Sequence, residues 1–144
     1  DQGLRPRKGA IRQLVKPFIQ IIHRFRDEGL NSRGAPESHT FIFDEAQRVW
    51  NREKLSDFMA RKKGRKGFNQ SEAEVLIEYA NRHDDWAVVV CLVGEGQEIH
   101  DGEAGIASWL EAAVETFTDW QVLASPELQA PKHGSKHLLD VLSA

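Results

Sequence analysis

Thr40-Phe41-Ile42-Phe43-Asp44-Glu45-Ala46-Gln47-Arg48 is the stretch on which the fold turns. A short apolar run ends abruptly in two adjacent carboxylates. The pattern predicts a buried strand over 39–43 whose C-terminal end delivers acids to a cleft, where open α/β sheets bind their ligands. A plainer alternative is a strand running into a helix that opens with acids, which the helix dipole favours.

Upstream, Ile11, Leu14, Val15, Phe18, Ile22 and Phe25 fall at helical spacing. Pro17 predicts a kink or two abutting helices, and Gly29 is a plausible stop. Residues 31–38, with Gly34 and Pro36, read as a loop. Downstream, 45–61 reads as a helix carrying Val49, Trp50, Leu55, Phe58 and Met59. Arg61-Lys62-Lys63-Gly64-Arg65-Lys66-Gly67 reads as an exposed basic loop. Ser71-Glu72-Ala73-Glu74 has the form of a capping box and opens a helix expected to end near His83.

The continuous apolar run 86–93 predicts a strand covered on both faces, as in a parallel sheet. It stops at Gly94-Glu95-Gly96-Gln97-Glu98, a glycine-rich turn. A helix over 104–115 follows, with Ile106, Trp109, Leu110, Ala113 and Val114 on one side. A third short strand is expected over 120–124, ended by Pro126, and a last short element over 138–142. Strands alternating with helices give an α/β fold with a parallel sheet and right-handed crossovers.

With 144 residues the chain is sized for one domain. Its 40% hydrophobic and 28% charged content is that of a globular protein, and a net charge of −3 does not by itself demand nucleic acid or an anionic membrane. No apolar run is long enough to span a bilayer, and no signal peptide opens the sequence. Cys91, the only cysteine, excludes an intrachain disulfide and a cysteine-rich zinc site, and makes a reducing, cytoplasmic setting the expectation. The start at Asp1, Met59 as the only methionine, and a sheet of only three strands together predict a piece of a longer protein.

Two expected strands, ending at Phe43 and Val93, each finish in a polar turn, Asp44-Glu45-Ala46-Gln47 and Gly94-Glu95-Gly96-Gln97. In a parallel sheet both turns lie on the same edge and can face one site. The first resembles a Walker B strand, and more narrowly the DEAQ-type motif II of superfamily 1 helicases. Leu92-Val93-Gly94-Glu95-Gly96-Gln97 resembles their motif III. Taken together, the stretches 43–51 and 92–106 resemble a family of P-loop ATPases related to Schlafen-type DNA/RNA helicases.

That resemblance covers most of the chain. It implies one unit over 1–144: a partial RecA-like P-loop NTPase core, with a parallel three-layer α/β/α sheet lacking the Walker A portion. It implies ATP and Mg²⁺ as cofactors, and DNA or RNA as partner of the intact protein. Asp44 would hold Mg²⁺ through its water shell, and Glu45 would orient or deprotonate the attacking water. Gln97 would sense the γ-phosphate, with Gln47 assisting. Gly94 and Gly96 would let the backbone approach the nucleotide.

Two departures from the pattern stand out. Gln97 follows Gly94 by three positions where helicase motif III usually has four, and the acid of the turn is Glu95 rather than Asp. No G-x-x-x-x-G-K-[ST] occurs anywhere in the chain, so the cradle of backbone N–H groups that grips phosphates has no sequence here. The second helicase lobe and its arginine are missing as well. Hydrolysis is therefore expected of the intact protein and not of this piece alone.

Lys62, Lys63, Arg65 and Lys66 are the candidate phosphate contacts for nucleic acid, although a solvated loop is the commoner meaning of such a block. His133 and His137 have ligand-like spacing, but Gly134 lies between them and no acidic third ligand is evident. His100-Asp101-Gly102-Glu103 reads as a turn and helix start. Trp50, Trp86, Trp109 and Trp120 read as core or lobe interface. Two further readings stay beside the ATPase: a non-catalytic interaction module on a degenerate NTPase fold, and, ranked last, a metal nuclease using Asp44 and Glu45.

Overall fold

The computed structural model describes residues 19–94 and 103–129. Among them are helix α1 (Ile22–Asn31), strand β1 (Thr40–Phe43), a 3-10 turn (Ala46–Arg48), helices α2 (Arg52–Lys63) and α3 (Glu72–Ala80), strand β2 (Val88–Cys91), helix α4 (Ala107–Glu115) and a second 3-10 turn (Pro126–Gln129). The two strands pair in parallel, with Thr40 opposite Val88 and Phe43 opposite Cys91. A parallel pair needs a long crossover, and α2 and α3 provide it.

Helix α3 is the centre of the fold. Every residue from Glu72 to Ala80 except Glu78 is buried, as expected of a helix apolar nearly all round. It packs against α1, α4 and β2. The main core joins Phe25 of α1, Phe41 and Phe43 of β1, Leu76, Ile77 and Tyr79 of α3, and Ile106 and Trp109. The capping box forms as the sequence predicts. Ser71 Oγ accepts the Glu74 N–H at 3.2 Å, and Glu74 Oε2 accepts the Ser71 N–H at 2.6 Å.

Several expectations are corrected. Gly29 lies within α1 rather than ending it, pressed against the Tyr79 ring; a Cβ there would meet Tyr79 side-chain atoms at 2.8–2.9 Å. The helix expected over 45–61 is two elements. Glu45 takes left-handed geometry, the 3-10 turn follows, and the chain then runs extended to Asn51, whose Oδ1 caps α2 by accepting the Lys54 N–H at 2.8 Å. The extended link lets Trp50 pair with Glu103 in an isolated antiparallel bridge. Arg61, Lys62 and Lys63 form the last turn of α2 instead of a loop, which ends at Gly64 in left-handed geometry.

The sheet differs most from expectation. Among the described residues it has two strands. Residues 120–124, expected as a third strand, form none, and Leu123 there is 87% exposed. Among the described residues, helices cover only one face of the pair. Phe41 and Phe43 point into the core, whereas Ile42 (66% exposed), Val88, Val90 and Leu92 lie on the open face. An unbroken apolar run therefore records alternating faces here, one packed and one open. Trp109 is buried, Trp50 and Trp120 are half-buried, and Trp86 is exposed.

Candidate functional site

The register brings the two expected strand ends together. The Leu92 N–H donates to Phe43 O and the Ala46 N–H to Leu92 O, each at 2.9 Å, so the ladder continues past the strands into both turns. Asp44 leaves β1 exposed, its Oδ1 accepting the Glu45 N–H at 3.1 Å. Glu45 stands at φ 54°, ψ 43°, a region that non-glycine residues seldom occupy.

Gln47 joins the two turns. Buried in the 3-10 turn, it donates from Nε2 to Glu45 Oε2 at 2.5 Å, while its Oε1 accepts the Gly94 N–H at 3.3 Å. Both amide groups are thus used, one on each turn. A Cβ at position 94 would stand 3.0–3.1 Å from both Glu45 carboxylate oxygens, so glycine there gives the carboxylate its room. Asp44, Glu45, Gln47 and Gly94 accordingly meet at the C-terminal edge of the sheet. Gly96 and Gln97 lie outside the described residues, as do His100, Asp101, Gly102, His133, His137 and the element expected over 138–142.

Further contacts fix the same corner. The Trp109 indole Nε1 donates to Ala46 O at 2.8 Å, the Gly105 N–H to Gln47 O at 3.1 Å, and the Ala104 N–H to Val49 O at 2.9 Å. Arg48 Nε reaches Glu103 Oε1 at 3.4 Å. Gly94 and Glu103, which flank 95–102, are therefore both held against 45–50. The sequence marks Trp109 only as an apolar helix position, and no spacing rule reveals that its N–H secures the acidic turn.

The basic stretch is elsewhere. Arg65 Nη2 donates to Leu30 O and Asn31 Oδ1, each at 3.1 Å, and Lys63 Nζ to Asp27 Oδ2 at 2.9 Å. Those partners belong to the C-terminal end of α1, which Arg82 ties through Gly29 O and Ser32 O to the end of α3, just ahead of β2. The basic residues thus gather towards the N-terminal edge of the sheet, opposite Asp44 and Glu45. Lys62 and Lys66 are exposed. A shallow cavity of about 180 Å³ beside α4 is lined by Arg52, Glu74, Glu111 and Glu115. Three carboxylates against one guanidinium disfavour phosphate there.

Beneath the sheet, burial pushes the Cys91 thiol up to about 12, the behaviour of an inert thiol rather than a nucleophile. No helix among the described residues is long and apolar enough to cross a membrane.

The family model of the Schlafen group 3 DNA/RNA helicase domain matches residues 4–137. No curated protein and no solved structure matches the chain. The family match spans nearly the whole sequence, and the chain belongs to that family.

Proposed function

We propose, from membership of the Schlafen group 3 helicase-domain family, that this chain supplies the metal- and water-directing part of an ATP-dependent, helicase-like P-loop NTPase acting on DNA or RNA. The observation that carries the reading is the Glu45–Gln47–Gly94 link, which seats a carboxylate at the junction of two parallel strand ends. In this reading the strand pair is part of a RecA-like sheet, and the open face carrying Ile42 and Val90 is covered in the intact protein by the layer that completes it.

Asp44 fits Mg²⁺, a hard cation that takes few carboxylates and keeps several waters. Glu45 orients or deprotonates the attacking water. Gln47 is a positioning residue that aims the Glu45 carboxylate and ties it to the second turn. Gln97 is assigned the γ-phosphate contact by its place in the motif III-like segment. Asp44 would hold Mg·ATP through the ion's water shell; the nucleotide would supply the phosphoryl group, and the Mg²⁺ would offset charge on the phosphates. No G-x-x-x-x-G-K-[ST] occurs in the sequence, so turnover is assigned to the intact protein and not to these 144 residues alone.

The test is ATP hydrolysis by the intact protein with Mg²⁺, in the presence and absence of single-stranded DNA or RNA. Turnover stimulated by nucleic acid is the expected result. Absence of turnover under every condition overturns the ATPase reading and leaves the non-catalytic interaction module.

A further inference from the structure

We infer that His39, His83 and Asp85 form a binding site for a divalent transition ion of the zinc type, at the sheet edge opposite Asp44 and Glu45. His39 immediately precedes β1, and His83 and Asp85 lie in the turn from α3 to β2. One ligand atom from each residue lies within 4.8 Å of the other two. The imidazole rings stack with centroids 3.8 Å apart and planes 28° from parallel. The Asp85 carboxylate stands 3.5 Å from His39 Nδ1, the N–H side of that ring, so it neighbours the imidazole without yet facing its lone pair.

The hydrogen bonds carry the inference beyond proximity. His39 Nδ1 lies 2.8 Å from Trp86 O, and His83 Nε2 lies 3.0 Å from Ser38 O. A backbone carbonyl can only accept, so each of these nitrogens donates. In the neutral ring the proton is then fixed on that nitrogen, and the lone pair is on the other: Nε2 of His39 and Nδ1 of His83. Metal-binding histidines are oriented in this way, one ring nitrogen on the ion and the other N–H on a backbone carbonyl. Asp85 Oδ1 accepts the Trp86 N–H at 2.8 Å, a local bond that gives way when the carboxylate turns onto the ion.

Two imidazoles and one carboxylate suit zinc, with water as a fourth ligand, better than Mg²⁺ or Ca²⁺, which prefer oxygen alone. Ligands about 2.0–2.1 Å from a tetrahedral ion stand about 3.3 Å apart. Closing the site therefore requires the rings to tilt out of their stack and Asp85, 64% exposed, to swing inward. A bound ion clips the segment ahead of β1 to the turn ahead of β2, so binding adds to the stability of the folded chain.

Zn²⁺ titration into the 144-residue chain, by calorimetry and by thermal midpoint, tests the site. One saturable Zn²⁺ and a raised midpoint are expected. His39→Gln and His83→Gln should each weaken binding at least about tenfold. Asp85→Asn should also weaken it, and being a change at an exposed side chain it keeps the test sound if a histidine variant fails to fold. The double variant H133Q/H137Q should bind as the parent does. Absence of saturable binding, full affinity in His83→Gln and Asp85→Asn, or loss of binding in H133Q/H137Q would overturn the assignment.

Discussion

Glu45 holds left-handed backbone geometry at a cost of roughly 1–2 kcal/mol for a residue with a Cβ. Its carboxylate bonds to Gln47, whose amide oxygen takes the Gly94 N–H. Gln47→Ala removes the bond that ties that carboxylate to the second turn and should lower turnover of the intact protein roughly 10- to 100-fold, since small misplacements of a reacting group are that costly. Nucleotide affinity should change much less, which a parallel binding titration would check. Gly29→Ala is a second case at this scale. Alanine gains up to about 1 kcal/mol of helix propensity, but its Cβ meets a Tyr79 ring that is 2% exposed and has little room to shift. Overpacking of about 1–3 kcal/mol should win, lowering the urea midpoint; an unchanged or raised midpoint would refute the contact. The meeting of the Asp44–Gln47 turn with Gly94 was legible, because parallel strands bring their C-terminal turns to one edge of the sheet. The role of Gly29 was not, because a glycine near a helix end reads as a stop until its neighbour across the interface is known.

The helices are joined by a buried charge cluster that no local pattern announces. Glu72 is fully buried at the start of α3. Its Oε1 accepts from Arg26 Nη1 at 2.9 Å and contacts His23 Nδ1 at 2.8 Å, both on α1, and its Oε2 accepts the Trp50 N–H at 2.9 Å. Arg26 also lies over the rings of Trp50 and Phe58, at 5.1 and 5.0 Å. Removing one partner of such a buried pair costs about 3–5 kcal/mol. Glu72→Ala should therefore destabilise the chain by about that much in chemical denaturation. Glu72→Gln keeps an acceptor and should cost less; equal losses would mean that the hydrogen bonds contribute nothing beyond the charge. The sequence marks Glu72 only as a first-turn acid inside a capping box, a position usually solvated. The box itself was legible, being local. The lack of a strand at 120–124 and the split of the 45–61 helix were not, because both depend on long-range partners, among them Glu103 and Glu72 for Trp50.

For the molecule as a whole, the two shifted groups beside the core act in one direction at high pH. Burial raises the Cys91 thiol from 9.0 to about 12, and burial followed by the charge of Glu28 raises the Tyr79 hydroxyl above 10.0. A group whose folded pKa is raised contributes stability that is intact below its unfolded pKa and is lost as pH climbs towards the folded one. Stability should thus be flat up to about pH 9 and fall above it, Cys91 alone removing about 1 kcal/mol by pH 10. Urea titrations at pH 8 and pH 10 on the parent and Cys91→Ala would show it, the variant losing less. At the acid end, burial opposes ionisation of Asp27 but is outweighed by hydrogen bonds from Lys63 and Arg26, so its carboxyl lies below 3.8. Its contribution is present above that value and lost as pH falls through the folded pKa. The α/β class and the parallel pairing were legible from strand and helix alternation. The one-sided burial of the sheet was not, since a run such as 86–93 reads alike whether one face or two are covered.

The most direct test of the central claim, that Glu45 directs water where the two strand ends meet, compares Glu45→Gln with Asp44→Asn in the intact protein, measuring Mg·ATP binding and turnover separately. Glu45→Gln should retain nucleotide binding and lose turnover by about 100-fold or more, the usual contribution of a positioned base. Asp44→Asn should weaken the Mg²⁺-dependent part of binding as well. Turnover indifferent to Glu45→Gln, or identical losses of binding in both variants, would contradict the account.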